Sequence, residues 1–313
     1  MAELGRPLNA LLRRAILAAA ASGRLRGLVG RYGMRLGASR FVAGETLDAC
    51  LDVLASLSER GLKANTTILG EGVTDEAEAA AIVAGYERIL ERVAERGLRC
   101  NLAVKLTHLG LEISEELARE NLRRVVDRAG ELGNVVRIDM EHSAVVDATL
   151  RIYRRLREDG RENVGAVLQS YLRRSEDDLR ELLPLAPNLR IVKGAYLEPP
   201  EVAYPDKADV DAAYLRLVET ALRGGAYVAA ATHDERLIED IAAFAERAGI
   251  GRDRFEFQML YGVRPQLQLE LVDRGYEVLV ATPYGPDWYP YLMRRLAERP
   301  ANLLFLLRNL ARG

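Results

Sequence analysis

The chain has 313 residues, 49% of them hydrophobic, so it can bury a sizeable core, and α/β barrels of this length are commonly one domain. Its formal net charge is −2, with 44 basic and 46 acidic residues spread along the sequence, which argues against a nucleic-acid partner and against a charged disordered tail. Two cysteines, Cys50 and Cys100, lack metal-ligand or redox spacing and fit a reducing cytoplasm, and no apolar run reaches the ~18 residues that span a bilayer.

Residues 1–45 read as an N-terminal helical arm punctuated by glycines. Arg13 and Arg14 precede a short apolar run at 15–21 that has the outline of a secretory signal, but the run is mostly alanine. The expected use is a helix that packs on the rest of the fold or on a neighbouring subunit. A helix follows over 46–60, with Thr46 near its N-cap. From residue 62 onward, short apolar runs alternate with longer amphipathic stretches. Strands are expected at 62–69, 100–106, 135–140, 164–169, 189–195, 227–232, 255–260 and 276–281. Helices are expected between them at 75–96, 115–132, 146–158, 176–183, 207–223, 235–248 and 265–274, with an eighth at 287–298. Eight such units predict a closed, TIM-like (β/α)₈ barrel over residues 46–313.

Several strands end in polar residues: Lys105, Asp139, Gln169, Lys193, His233 and Gln258. In a barrel these ends form the rim that carries active sites. Solubility of the rim does not require a polar group at the same place in strand after strand. The most informative segment is TPYGPDWYPYLMRRLAERPAN at 282–302. Tyr291, Arg294 and Arg295 lie at i, i+3 and i+4 on one helical face, where two guanidinium groups beside a ring suit a small carboxylate with an apolar body. Lys105 ends the second strand as a point charge or a Schiff-base nucleophile. Asp139 could orient one of the cations, and Glu71 lies on the same rim. A second cluster suits a large anionic cofactor: Gln169 in VLQSYLRR, Arg190 and Lys193 in RIVKGAY with Gly194 and Ala195 beside them, and Thr232 and His233 before a helix N-terminus. His108, His142 and His233 follow different strands without helical spacing, so no metal site is expected.

Taken in order, LGEG, VKLTHLG, RIDME, LQSYLRR, RIVKGAY, ATHDE, FEFQMLYG and YLMRRLAERPAN resemble the proline dehydrogenase family over about residues 40–312, in its compact monofunctional bacterial type. The resemblance implies a distorted (β/α)₈ barrel that binds FAD and oxidises L-proline to Δ1-pyrroline-5-carboxylate, with a hydride equivalent passing to flavin N5 and electrons passing to quinone. It implies that Arg294, Arg295 and Lys105 hold the substrate carboxylate. Tyr196, Leu260, Tyr284 and Tyr291 would box the ring, and Asp139 would support the cations. Glu71 would pair with Arg294 across the mouth. Gln169, Arg190, Lys193, Gly194, Ala195, Thr232 and His233 would line the cofactor site. Tyr284 would also fill the space that a ring hydroxyl needs, favouring L-proline over trans-4-hydroxy-L-proline. Tyr261 stands where many longer relatives have histidine, which leaves the role of that position open. Residues 5–36 are expected to be able to rest on the inner face of a cell membrane through their Arg and Leu side chains. Oligomeric state is left open. Two rival readings share the barrel: a Schiff-base aldolase-type lyase using Lys105 or Lys193, and a binding protein without catalysis. The lyase reading does not account for the paired arginines after Tyr291 or for the second cationic cluster.

Overall fold

A computed structural model describes residues 33–34, 37–70 and 72–298, apart from the side chains of Arg294 and of residues 296–298. Glu71, the Arg294 side chain and most of the expected N-terminal arm, including nearly all of 5–36, therefore lie outside the described residues.

Eight parallel strands close into a barrel in sequence order: β1 (Lys63–Ile68), β2 (Cys100–Val104), β3 (Val136–Ile138), β4 (Val164–Gln169), β5 (Asn188–Val192), β6 (Tyr227–Ala231), β7 (Phe255–Leu260) and β8 (Val278–Tyr284). β8 returns to β1 over a six-residue register from Lys63↔Leu279 to Ile68↔Tyr284, so no sheet edge is left open. Among the described residues the α-helices are α1 (Leu47–Glu59), α2 (Glu76–Glu95), α3 (Glu115–Glu131), α4 (Val146–Glu158), α5 (Ser175–Leu182), α6 (Lys207–Arg223), α7 (Glu235–Arg247), α8 (Pro265–Asp273) and α9 (Trp288–Glu298). α1 precedes β1, and each of the other eight follows one strand. The (β/α)₈ fold expected from the alternation is the fold observed.

Local chemistry starts the helices where the sequence says. Thr46, Asp75, Ser114 and Asp234 accept hydrogen bonds from the backbone N–H groups of Ala49, Glu78, Leu117 and Arg236, which satisfies donors that a helix start leaves orphaned. The apolar core lies between the sheet and the helices, with Leu51, Tyr86, Ile89, Leu122, Tyr153, Leu156, Tyr214 and Ile241 among its fully buried members. A second apolar cluster joins Ala38, Phe41, Val42 and Leu69 to Trp288, Tyr289, Leu292 and Met293, seating α9 against the segment that precedes α1.

The inside of the barrel is polar. Strand alternation sends Arg137, Asp139, Asn188, Arg190, Glu256 and Gln258 to the interior, where they meet across non-neighbouring strands. Arg137 Nη2 donates to Asn188 Oδ1 at 2.5 Å, and Nη1 donates to the carbonyls of Asn188 and Ala166 at 3.2 and 3.3 Å. Burial, followed by repulsion from Arg190, pushes the Arg137 guanidinium down to about 10, so it stays charged at neutral pH. Its path crosses β4 at Gly165, where a Cβ would stand 2.7 Å from the Asn188 carbonyl and 3.0 Å from Arg137 Nη1. Gly165→Ala is therefore expected to cost about 1–3 kcal/mol by overpacking. Urea denaturation of the two proteins measures this, and an unchanged midpoint would contradict the need for that space.

Candidate active site

A cavity of about 1010 Å³ opens at the C-terminal ends of the strands, at the upper end of the ~300–1,000 Å³ usual for ligand pockets. A single amino-acid-sized molecule would leave much of it unfilled. Lys105, Asp139, Tyr196, Leu260, Tyr291 and Arg295 line it together with Gln169, Arg190, Lys193, Gly194, Ala195, Thr232 and His233. Residues expected to sit at two subsites thus share one continuous chamber.

Each wall has a local cause. On α9, Tyr291 and Arg295 are four residues apart, and the guanidinium carbon lies 5.5 Å from the ring centroid in a cation–π stack. That helix is held from below by the second apolar cluster and by Trp288 Nε1, which donates to Glu45 Oε1 at 2.7 Å. Tyr196 stands edge-on to His142 with centroids 6.2 Å apart. Glu198 pins the same loop to the β3–α4 connection by accepting from Ser143 N and Oγ at 2.7 and 2.6 Å. Gly194 turns the chain after β5 with φ 112°, and a Cβ there would run into the Tyr171 ring. His233 Nε2 accepts the backbone N–H of Leu260 at 2.9 Å, tying the end of β7 to the loop after β6.

Charges are balanced unevenly across the chamber. Lys193 Nζ lies 2.5 Å from Asp211 and 3.6 Å from Asp234, and Lys207 contacts the same two carboxylates. Burial alone would raise the Asp211 carboxyl, but hydrogen bonds from Lys193 and Lys207 outweigh it and hold it below its ordinary range. Arg190 donates from Nη1 to Asp139 Oδ1 and from Nε to Gln258 Oε1, each at 2.6 Å. Among the wall atoms buried without a hydrogen-bond partner among the described residues are Gln169 Oε1 and Arg190 Nη2. One is an acceptor and the other a donor, and buried atoms of this kind call for a ligand with complementary polar edges.

Tyr284 does not line the cavity. β8 runs on through Thr282 and Pro283, three residues beyond the expected end of the strand, and its contribution to the wall is Ala281. The Tyr284 phenol is buried, which raises it well above its ordinary value, and its neighbours in charge are Cys50, Tyr86 and Arg88 on α1 and α2. Tyr261, whose role the sequence left open, does line the cavity, and its backbone N–H donates to the Ala281 carbonyl at 2.9 Å. The sequence reading passed over Tyr171, Phe41, Arg264 and Asp211. None stands at a strand end, so the pattern of polar strand termini could not point to them.

The proline dehydrogenase family profile matches residues 50–308. The chain belongs to the proline dehydrogenase family. It is 45% identical over 280 residues to the proline dehydrogenase of Deinococcus radiodurans, covering 88% of this chain and 90% of the relative. It is 43% identical over 279 residues to proline dehydrogenase 1 of Bacillus subtilis strain 168, with 89% and 92% covered. Among solved structures, proline utilization A from Bdellovibrio bacteriovorus, inactivated by N-propargylglycine, superposes with a TM-score of 0.79 at 28% identity, over 88% of this chain. This chain spans about a third of that longer protein, 34%. As a member of the proline dehydrogenase family it is an oxidoreductase acting on proline. Among the described residues no group of three or more His, Cys, Asp or Glu is placed to hold a metal ion, and no helix is long and apolar enough to cross a membrane.

Proposed function

We propose that this proline dehydrogenase oxidises L-proline to Δ1-pyrroline-5-carboxylate with FAD as its bound cofactor and quinone as the final acceptor. The observation that carries the reading is one chamber with two chemistries. The Arg295 guanidinium and the Tyr291 ring lie on α9, and the buried Gln169 acceptor and Arg190 donor lie in the strand wall. The donor and acceptor fit the polar edge of an isoalloxazine ring, and the volume exceeds what proline alone would use. FAD, when bound, supplies the electron-pair acceptor that oxidation beside a ring nitrogen requires.

The chain's own residues do the holding. Lys105 and Arg295, with Arg294, would bind the substrate carboxylate, the guanidinium fork giving direction as well as charge. Tyr291 keeps Arg295 stacked and presents a flat face to the pyrrolidine ring. Tyr196 and Leu260 would close the apolar sides and exclude water, which strengthens the ion pairs that orient the substrate. Asp139 neutralises Arg190, so the cofactor wall is polar without an excess of positive charge. Gln169, Lys193, Gly194, Ala195, Thr232 and His233 would line the remainder of the FAD site.

The purified full-length chain is expected to show flavin absorption bands that bleach anaerobically on addition of L-proline. Turnover is expected with a soluble quinone and not with NAD. A colourless protein that cannot be loaded with FAD, or NAD reduction by proline, would sink the reading. Arg295→Ala removes one partner of a carboxylate that is desolvated once bound, a change worth about 3–5 kcal/mol. The expected loss in kcat/KM is on the order of 10²–10³-fold, with the flavin spectrum retained, and steady-state kinetics decides it. Because Tyr284 does not line the cavity, Tyr284→Ser should lower the melting temperature. It should leave the ratio of kcat/KM for L-proline and trans-4-hydroxy-L-proline unchanged. A ratio that moved toward hydroxyproline would show that Tyr284 contacts the ring after all.

A further inference from the structure

Glu256 sits inside the barrel on β7, 3% exposed, and does not line the chamber. It is two residues before Gln258, so both side chains face the barrel interior. Gln258 Nε2 donates to Glu256 Oε1 at 2.6 Å, and Gln258 Oε1 accepts from Arg190 Nε at 2.6 Å. The chemistry on either side permits only this orientation of the amide. A guanidinium can only donate, and an ionised carboxylate can only accept. Turned over, the amide would set N–H against N–H at Arg190 and oxygen against oxygen at Glu256. The carboxylate is itself fixed. The Tyr227 phenol is its neighbour, and Lys63 Nζ lies 3.9 Å from Oε2 and 2.8 Å from Glu277 toward the opposite end of the barrel. At the other end of the relay, Asp139 holds Nη1, which leaves Nη2 as the nitrogen of the Arg190 guanidinium that is buried without an acceptor among the described residues.

We propose that Glu256 is a positioning residue for the redox site, fixing the Arg190 guanidinium through Gln258 and so setting the direction in which Nη2 is offered to the cofactor. This rests on the FAD reading given above. Glu256 touches neither substrate nor cofactor. Its effect reaches the site only through the orientation of one amide, and this distinguishes it from a residue that merely balances the charge of Arg137 and Lys63.

The test uses the full-length chain loaded with FAD, comparing wild type with E256L, E256Q, Q258L and the double variant E256L/Q258L. The flavin absorption spectrum and midpoint potential are read without substrate, and the rate of flavin reduction is read at saturating L-proline. E256L leaves the amide held by Arg190 alone with Nε2 unpaired, and losing a hydrogen bond to a charged group should slow reduction on the order of tenfold and shift both the spectrum and the potential. E256Q keeps an acceptor but no charge, and should recover all three readouts to near wild type. Q258L should reproduce E256L, and the double variant should be no worse than Q258L, because residues acting through one relay do not add. The proposal is overturned by any of three results: a wild-type spectrum and potential in E256L, impairment of E256Q equal to that of E256L, or additive effects in the double variant. If melting shows that E256L does not fold, the exchange E256Q/Q258E decides. It places a carboxylate on Arg190 with an amide behind it, and should restore the potential that Q258E alone disturbs; equal values in the two would overturn the relay. Failure of the FAD reading is seen separately, as a wild-type protein that stays colourless, and it takes this proposal down with it.

Discussion

Two guanidinium groups sealed inside a closed barrel govern this structure. Taking a charge out of water costs several kcal/mol per ion even after relaxation, so nearly every donor of Arg137 and Arg190 needs an acceptor. Asn188 and the carbonyls of β4 and β5 serve Arg137, while Asp139 and Gln258 serve Arg190. Those partners have requirements of their own. Gln258 needs Glu256, Glu256 needs Tyr227 and Lys63, and Arg137 needs the missing side chain of Gly165. The interior is therefore a polar lattice, and the apolar material that stabilises the fold lies outside it, between sheet and helices.

The same lattice explains which features were legible in the sequence. Alternation of apolar runs with amphipathic stretches is a local signal, and it yielded all eight strands, the helices after them and the closed barrel. Polar strand ends such as Lys105, Asp139, Gln169 and Gln258 were visible for the same reason, since strand period and position say where they point. The relay from Glu256 was not visible, because it depends on contacts between β3, β5 and β7, which only barrel closure brings together. Strand limits failed where backbone geometry overrode composition. β5 stops at Val192 because Gly194 turns the chain. β8 runs past Ala281 through Pro283, which offers no backbone N–H but whose carbonyl accepts from Ala43 N at 2.9 Å. That extension moved Tyr284 out of the wall and left Ala281 in it. Glu71 and the Arg294 side chain were read from the sequence and lie outside the described residues.

The α9 side of the chamber depends on a short segment far away in the sequence. Phe41 and Val42 pack against α9, Ala43 and Gly44 hydrogen-bond to Pro283 and Gly285, and Glu45 accepts from Trp288. A segment that precedes the first barrel strand thus seats the helix that follows the last one. The helix that carries Tyr291 and Arg295 is seated by packing against that segment.

This clasp has a consequence for how the protein is made. As the chain leaves the ribosome, residues 38–45 emerge long before residues 278–293, yet each is the other's partner. Loop closure over such a separation is slow, and pairings of high sequence separation form late. Until translation passes β8, β1 presents an unpaired edge and Phe41, Val42 and Leu69 lack their apolar cover. Exposed edges and apolar patches of this kind invite aggregation. The period of synthesis between the first strand and the last is therefore when that edge and that patch stay uncovered.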